Sequence, residues 1–340
     1  MYKNKKIGVV VPAYNVEHLI RRVIDTMPEF VDAIIVVDDR SRDRTSEVVE
    51  NCIREMKREI ILIQHSENQG VGAGIVTGYK KAIELGLDAI AVMAGDAQMD
   101  PDELEFLVEP VVENLADYVK GNRFAHGEAW KKIPTIRYFG NAILSLFTKI
   151  ASGYWHIADS QTGYTVIGID TLKYLELDKI YKRYGYPNDM LVRLNIENAR
   201  VLDIPINPIY DIGEKSGIKI WKVIPKISLL LGRLFFTRLF QKYVIRDFHI
   251  LVLFYLFAMM LVPIGLGLGG LFVVKFMRGY VSIASIVISI SLLLSAMQLF
   301  LFAMWFDMDY NRELCILSRH YDFFKKNMKQ NSDTVGTYIE

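Results

Sequence analysis

Two long stretches without a charged side chain constrain this chain more than any other feature. Ile250 to Val274 reads ILVLFYLFAMMLVPIGLGLGGLFVV, and Val281 to Phe306 reads VSIASIVISISLLLSAMQLFLFAMWF. Each exceeds the roughly 20 apolar residues needed to cross the hydrocarbon core of a bilayer. Only the short segment Lys275 to Tyr280 separates them. The pattern predicts a membrane region over 249–306 made of two transmembrane helices, at 250–274 and 281–306. A hairpin buried in a soluble core is the competing reading. The chain has 340 residues, 51% of them hydrophobic, with a formal net charge of +1. That is too long for one ordinary core and too apolar for a wholly soluble protein, and the apolar excess sits mainly in these two runs.

The segment just before them, 218–248, carries Lys219, Lys222, Lys226, Arg233, Arg238, Lys242 and Arg246, and no acidic residue lies between the first and last of these. Trp221, Leu229 to Leu231, Leu234 to Phe236 and Leu239 to Phe240 interleave with those charges. The mixture predicts an amphipathic segment lying in an anionic membrane surface. Basic flanks mark the cytoplasmic side, and the tail 307–340 adds Arg312, Arg319, Lys325, Lys326 and Lys329. Two crossings then return the chain to the side of the N-terminal region, which is expected in the cytoplasm. The N-terminus, MYKNKKIGVVVPAYN, has too short an apolar core before Pro12 for a secretory signal. Cys52 and Cys315, far apart in the chain, read as free thiols of a reducing compartment. No nucleic-acid partner is expected. Paired membrane hairpins often associate, which leaves a homo-oligomer open.

Up to about Tyr210, apolar runs alternate with charged segments of helical period. Strands are predicted at Ile7–Val11, Ala33–Val37, Ile60–Ile63 and Ala89–Met93, and helices at Val16–Met27, Thr45–Met56 and Val71–Leu85, with Thr45 or Asp43 capping the second helix. This rhythm predicts a mainly parallel sheet with helices on both faces. Polar residues recur just after the strands: Tyr14, Asn15 and Glu17, then Asp38 and Asp39, then Asp96, Gln98 and Asp100 in DAIAVMAGDAQMDP. Ligands of open α/β sheets bind beyond the carboxyl ends of strands, where a divalent cation on a nucleotide diphosphate needs oxygen donors. Caps and turns favour the same residue types. Gly70-Val71-Gly72-Ala73-Gly74 follows a strand, but its third glycine comes one residue early for a dinucleotide fingerprint. The glycines read instead as sites of close backbone approach to a ligand or to a neighbouring strand.

In chain order, VVVPAYN (9–15), VVDDRSRDRT (36–45), MAGDAQMDP (93–101), Gly121-Asn122-Arg123, ADSQTGY (158–164) and YDIGEKSG (210–217) resemble the motifs of the inverting family 2 glycosyltransferases, in particular the membrane-anchored polyprenyl-phosphate sugar synthases. The resemblance implies an α/β catalytic domain of the GT-A type over 1–217, Rossmann-like with a mainly parallel sheet. The amphipathic segment, the membrane hairpin and the tail follow it. It also implies transfer of one hexose from a UDP- or GDP-sugar to a polyprenyl phosphate, dolichyl or undecaprenyl, at the cytoplasmic face of a cell membrane or of the endoplasmic reticulum. Pro12, Tyr14 and Asp39, with Asn15, Glu17 and Asp38 beside them, would hold the nucleotide. Asp96 and Gln98 would bind Mg2+ or Mn2+. Arg123, Arg137, Lys215 and Ser216 would meet the acceptor phosphate, and Asp159 and Asp189 would line the sugar pocket. Where many relatives have D-x-D, this chain has Ala94-Gly95-Asp96, so metal binding leans on Asp96, Gln98 and the diphosphate itself. A transferase acting on another lipid or on a polysaccharide, and a catalytically inactive nucleotide-binding scaffold, are the alternatives. A processive polysaccharide synthase would be expected to show Q-x-x-R-W and more spans, and only the missing aspartate at position 94 supports the scaffold.

Overall fold

The computed structural model describes residues 1–124, 135–207, 209, 220–279 and 283–316, without the side chains of 135–142 and 220–224. It divides into two compact units, one of residues 1–234 together with 313 onward and one of residues 235–312.

The first unit is built on an eight-stranded sheet. Strands β1 (Ile7–Ala13), β2 (Ala33–Asp38), β3 (Glu59–Gln64) and β4 (Ala89–Val92) are the apolar runs expected from the sequence. β5 (Tyr118–Asn122), β6 (Thr165–Gly168), β7 (Val201–Pro205) and β8 (Cys315–Ile316) complete it in the order β3-β2-β1-β4-β6-β5-β7-β8. All pairings are parallel except those of β6 with β4 and β5. The central strands are β-branched and apolar on both faces because helices cover both. Ile7, Val9 and Val11 of β1 pack with α1 (Ile20–Asp25), α2 (Thr45–Glu55) and α4 (Leu104–Val112). Val10, Ile35 and Val37 pack on the other face with α3 (Val71–Glu84) and, further along the sheet, α7 (Tyr186–Ile196). Helix α5 (Thr135–Ser152) and the short α6 (Ile169–Tyr174) flank this second layer.

The first helix is shorter than its apolar spacing predicts. The Val16 and Glu17 amides donate to Thr45 Oγ1 and Asp43 Oδ2, at 2.9 and 3.1 Å, and so are drawn into a loop–loop contact instead of a helical turn. Neither candidate cap takes the N-cap position of α2, which falls to Arg44 without a side-chain cap; Asp43 Oδ1 instead accepts from the amide and hydroxyl of Thr45, the first helical residue, at 3.1 and 2.6 Å.

Helix α8 (Ile220–Phe240) leads into a π-helical turn, Gln241–Arg246, then α9 (Leu251–Met277) and α10 (Ile283–Tyr310). The last two are long and apolar enough to cross a bilayer. A hairpin buried in a soluble core would hide these helices, yet only 22% and 17% of their most apolar windows are buried. They touch each other through a small-residue seam, where Ser289 Oγ donates to the Gly265 carbonyl at 2.7 Å and a Cβ on Gly265 would lie 2.9 Å from Leu293.

Two of the cations that the sequence assigns to a membrane surface are buried inside the second unit. Arg238, 1% exposed, forms a bidentate pair with Asp307 of α10 at 2.7 and 3.0 Å. Lys242 donates to Asn311 Oδ1 at 2.8 Å. The Tyr243 hydroxyl joins the two, donating to Asp307 Oδ1 at 2.6 Å and accepting from Asn311 Nδ2 at 2.7 Å. A cation leaves water for such a place only when charge and hydrogen bonds meet it there. An acidic residue within the second apolar helix is therefore the partner that the basic segment lacks within itself.

Candidate active site

The carboxyl ends of β1, β2, β4 and β5 and the start of β6 lie along one edge of the sheet. Tyr14, Asp39, Asp96, Arg123 and Asp159 all follow or precede strands on that edge, where open α/β sheets bind ligands.

A cleft of about 230 Å3 opens beside β1 and β2, lined by Pro12, Tyr14, Asp39, Asn68, Gly70, Gly74, Arg183 and Tyr184 among others. Tyr14 exposes its ring there, 44% accessible, as a stacking platform would. Asp39 is buried and ties down the wall of the cleft. Its carboxylate accepts from the Gln69 and Gly70 amides at 2.8 and 2.7 Å and contacts His65 Nδ1 at 2.8 Å, with His65 Nε2 on Thr77 Oγ1 at 2.9 Å. Asn15, Glu17 and Asp38 serve the loops themselves. Asn15 Oδ1 accepts from the Arg42 amide, Glu17 Oε2 from the Arg44 amide, and Asp38 from the Ser41 amide and hydroxyl and from Ser46. Together they stitch the β1–α1 loop to the β2–α2 loop.

The glycine run 70–74 sits where α3 meets the segment 181–183. A Cβ on Gly72 would lie 2.3 Å from the Tyr181 carbonyl oxygen, and Gly70, at φ +100°, would meet the Lys182 carbonyl at 2.5 Å. The close approach expected from the sequence is therefore to another backbone segment, the one that carries Arg183 and Tyr184 into the cleft. Gly72→Ala should destabilise the chain by about 1–3 kcal/mol through overpacking. It should also disturb the cleft wall, read by thermal unfolding with and without a nucleoside diphosphate; an unchanged midpoint in both conditions would sink this reading.

Asp96 lies in a turn just beyond β4. The turn is anchored by Gly95 N–H on the Pro12 carbonyl at 3.1 Å, Ile209 N–H on the Gln98 carbonyl at 3.0 Å, and Tyr164 O–H on the Asp100 carbonyl at 2.8 Å. Asp96 Oδ1 accepts from the Gln98 amide at 3.2 Å. Asp100 caps the 3-10 turn Pro101–Glu103, with Oδ1 accepting from the Asp102 amide at 3.0 Å. No cluster of three or more His, Cys, Asp or Glu that could hold a metal ion occurs among the described residues. One carboxylate and one carboxamide in a turn tied to Pro12 suit a hard cation that takes its other oxygens from a diphosphate and water.

Arg123 grips Asp159 with Nε at 2.6 Å and Nη2 at 3.0 Å. Burial alone would raise the Asp159 carboxyl; the charge and hydrogen bonds of Arg123, helped by Lys120, hold it below the ordinary carboxylate range. The Gln161 amide donates to Asp159 Oδ1 at 3.1 Å, and the Gln161 side chain donates to Asn188 Oδ1 at 2.8 Å. Asp189, the next residue on α7, accepts from the Tyr181 amide at 2.7 Å and from Arg193 Nε at 3.0 Å. Its Oδ1 has no hydrogen-bond partner among the described residues, and burial raises its pKa. Asp189 thus supports the segment that forms the far wall of the cleft. Arg137 lies in the first turns of α5, but its side chain, like Lys215 and Ser216, falls outside the described residues.

Arg183, Tyr184 and Asn68 are the cleft residues that the sequence alone does not single out. The first two follow Tyr14 by far more than any local motif spans. The glycines facing their segment are the one sequence signal that points to them.

A cleft beside β1 and β2, an oxygen-bearing turn after β4 and a half-buried arginine on a buried carboxylate, all on one edge of a mixed, mostly parallel sheet, are the features of a GT-A-type α/β enzyme. The model of the family described as glycosyl transferase family 2 matches residues 8–173. The UDP-N-acetylglucosamine–dolichyl-phosphate N-acetylglucosaminyltransferase of Methanococcus voltae is 32% identical over 219 residues, spanning 61% of this chain and 87% of that protein. The undecaprenyl-phosphate mannosyltransferase of Micrococcus luteus is 30% identical over 206 residues, 59% of this chain and 82% of that one. This chain belongs to glycosyl transferase family 2 and is a glycosyltransferase. Among solved structures, glucosyl-3-phosphoglycerate synthase from Mycobacterium tuberculosis, in complex with Mn2+, UDP and glucosyl-3-phosphoglycerate, shares the fold. It gives a TM-score of 0.51 at 16% identity over 69% of this chain and 80% of that one.

Proposed function

We propose that this glycosyltransferase moves one hexose-type sugar, with inversion, from a UDP- or GDP-sugar to a polyprenyl phosphate at the cytoplasmic face of a membrane. The observation that carries this reading is the presence in one chain of a cleft at the carboxyl ends of β1 and β2 and of two long apolar helices whose faces are exposed, as a lipid-linked acceptor requires. The names of the Methanococcus and Micrococcus relatives agree with it.

In this reading Tyr14, Pro12, Asn68 and Tyr184 surround the base and ribose, Asp39 shapes the wall behind them, and Arg183 faces the phosphates. Asp96 and Gln98 would hold Mg2+ or Mn2+, which supplies neutralisation of charge on the departing diphosphate. The acceptor phosphate is ionised near neutral pH, so its oxygen forms the new bond to the anomeric carbon while the bond to the diphosphate breaks, and no strong general base is needed. Basic side chains must bring that phosphate against a diphosphate of like charge. Arg123, held in one plane by Asp159, takes this role, with Arg137, Lys215 and Ser216 assigned to the same task.

The test is a panel of UDP-glucose, GDP-mannose, UDP-GlcNAc and UDP-galactose, each radiolabelled in the sugar, with a short polyprenyl phosphate and Mg2+ or Mn2+ in detergent. One donor is expected to give label extractable into organic solvent. Absence of such a product with all four donors would overturn the proposal.

A further inference from the structure

Lys120 sits at the middle of β5, opposite Thr165 of β6 and Asp203 of β7, and is fully buried. Two residues earlier on the same face, Tyr118 packs in the apolar core, so the face turns polar abruptly at Lys120. A buried ammonium persists only where charge and acceptors compensate for lost water. Three elements supply them. The Thr162 carbonyl accepts from Lys120 Nζ, Asp159 lies on that same turn, and Asp203 faces from β7. Burial, helped by the charge of Arg123 at the end of β5, brings the Lys120 pKa down to about 8 against the pull of the two carboxylates. Asp203 Oδ2 accepts from Asn122 Nδ2 at 2.8 Å and the Ala158 amide at 3.1 Å, while Oδ1 has no partner among the described residues. Burial pushes Asp203 up to about 7.

The segment 158–162 is therefore held twice from behind, by Asp203 at Ala158 and by Lys120 at Thr162. Between those anchors lies Asp159, whose two oxygens fix the guanidinium of Arg123. We infer that Lys120 is a positioning residue for the transfer step: its grip on the Thr162 carbonyl and its charge beside Asp159 set the plane of the Arg123–Asp159 pair. This rests on the proposal that Arg123 meets the acceptor phosphate.

Purified full-length protein in detergent tests it, using the donor that turns over in the panel above and UDP with Mn2+ as the binding probe. Lys120→Met should lower kcat about 10- to 100-fold, the scale of a small misplacement of a reacting group, with UDP affinity within about twofold of the parent. Lys120→Arg should recover at least about tenfold of that loss. Because the lysine acts as a cation, parent turnover should fall as pH rises through about 8, and this limb should be missing from Lys120→Met. Unchanged kcat in Lys120→Met, loss of kcat together with UDP affinity and unfolding temperature, failure of Lys120→Arg to recover, or persistence of the limb in Lys120→Met would each overturn the inference. Arg123→Ala is measured in parallel. If it also keeps parental turnover, the assignment of the site has failed and not Lys120 alone.

Discussion

Asp96→Ala is expected to reduce kcat/KM by at least about 10^3, roughly 4 kcal/mol of transition-state stabilisation, the scale attributed to a metal ion acting on developing charge. The size follows from the neighbouring residues of the turn. Ala94 has no oxygen on its side chain, and Asp100 is committed to its 3-10 cap. Fold and chemistry are separable here, because the turn is held by bonds from Gly95, Ile209 and Tyr164 to backbone carbonyls. Asp96→Asn keeps an acceptor for the Gln98 amide and removes the charge, so it should lose nearly as much activity with the unfolding midpoint unchanged. Initial rates across a Mn2+ titration provide the measurement. Turnover within about tenfold of the parent in either variant would mean that the cation is held elsewhere.

The second large effect concerns Arg238 and Asp307. Either Arg238→Met or Asp307→Leu alone should destabilise the membrane unit by about 3–5 kcal/mol, since each leaves a buried charge without its partner. The double variant should lie close to the parent, because both charges are removed together and Tyr243 retains Asn311. Denaturant unfolding of the full chain in detergent, followed by tryptophan fluorescence, distinguishes the cases. Additive losses in the double variant would show that the two side chains do not act as a pair.

Much of the architecture is legible in the sequence because its signals are local. β-Branched runs ending in Pro12 or Asp38 mark strands, and uncharged runs mark the membrane hairpin. The site is less legible because one residue type serves two purposes. Asn15, Glu17 and Asp38 fit a nucleotide crevice by position, yet their hydrogen bonds stitch two loops together. Asp39 lines the cleft while spending most of its acceptors on the loop at 65–70. Arg183 enters the cleft only because Gly70 and Gly72 admit its backbone segment. The burial of Lys120 depends on Asp203 and on the turn at Thr162, both far from it in the chain. Likewise, the buried roles of Arg238 and Lys242 depend on Asp307 and Asn311, which lie beyond both apolar runs.

The strand β8 has a consequence in time. Cys315 and Ile316 pair with Val201 and Leu202 at the border of the catalytic sheet, yet they leave the ribosome after both apolar helices. Domains fold as they are synthesised, N-terminal parts first, so β7 waits with its outer hydrogen bonds unpaired until both helices have been made. An unpaired edge strand invites pairing with another chain. A shortened chain ending before the hairpin would carry that open edge permanently, and its solubility would depend on how the edge is covered.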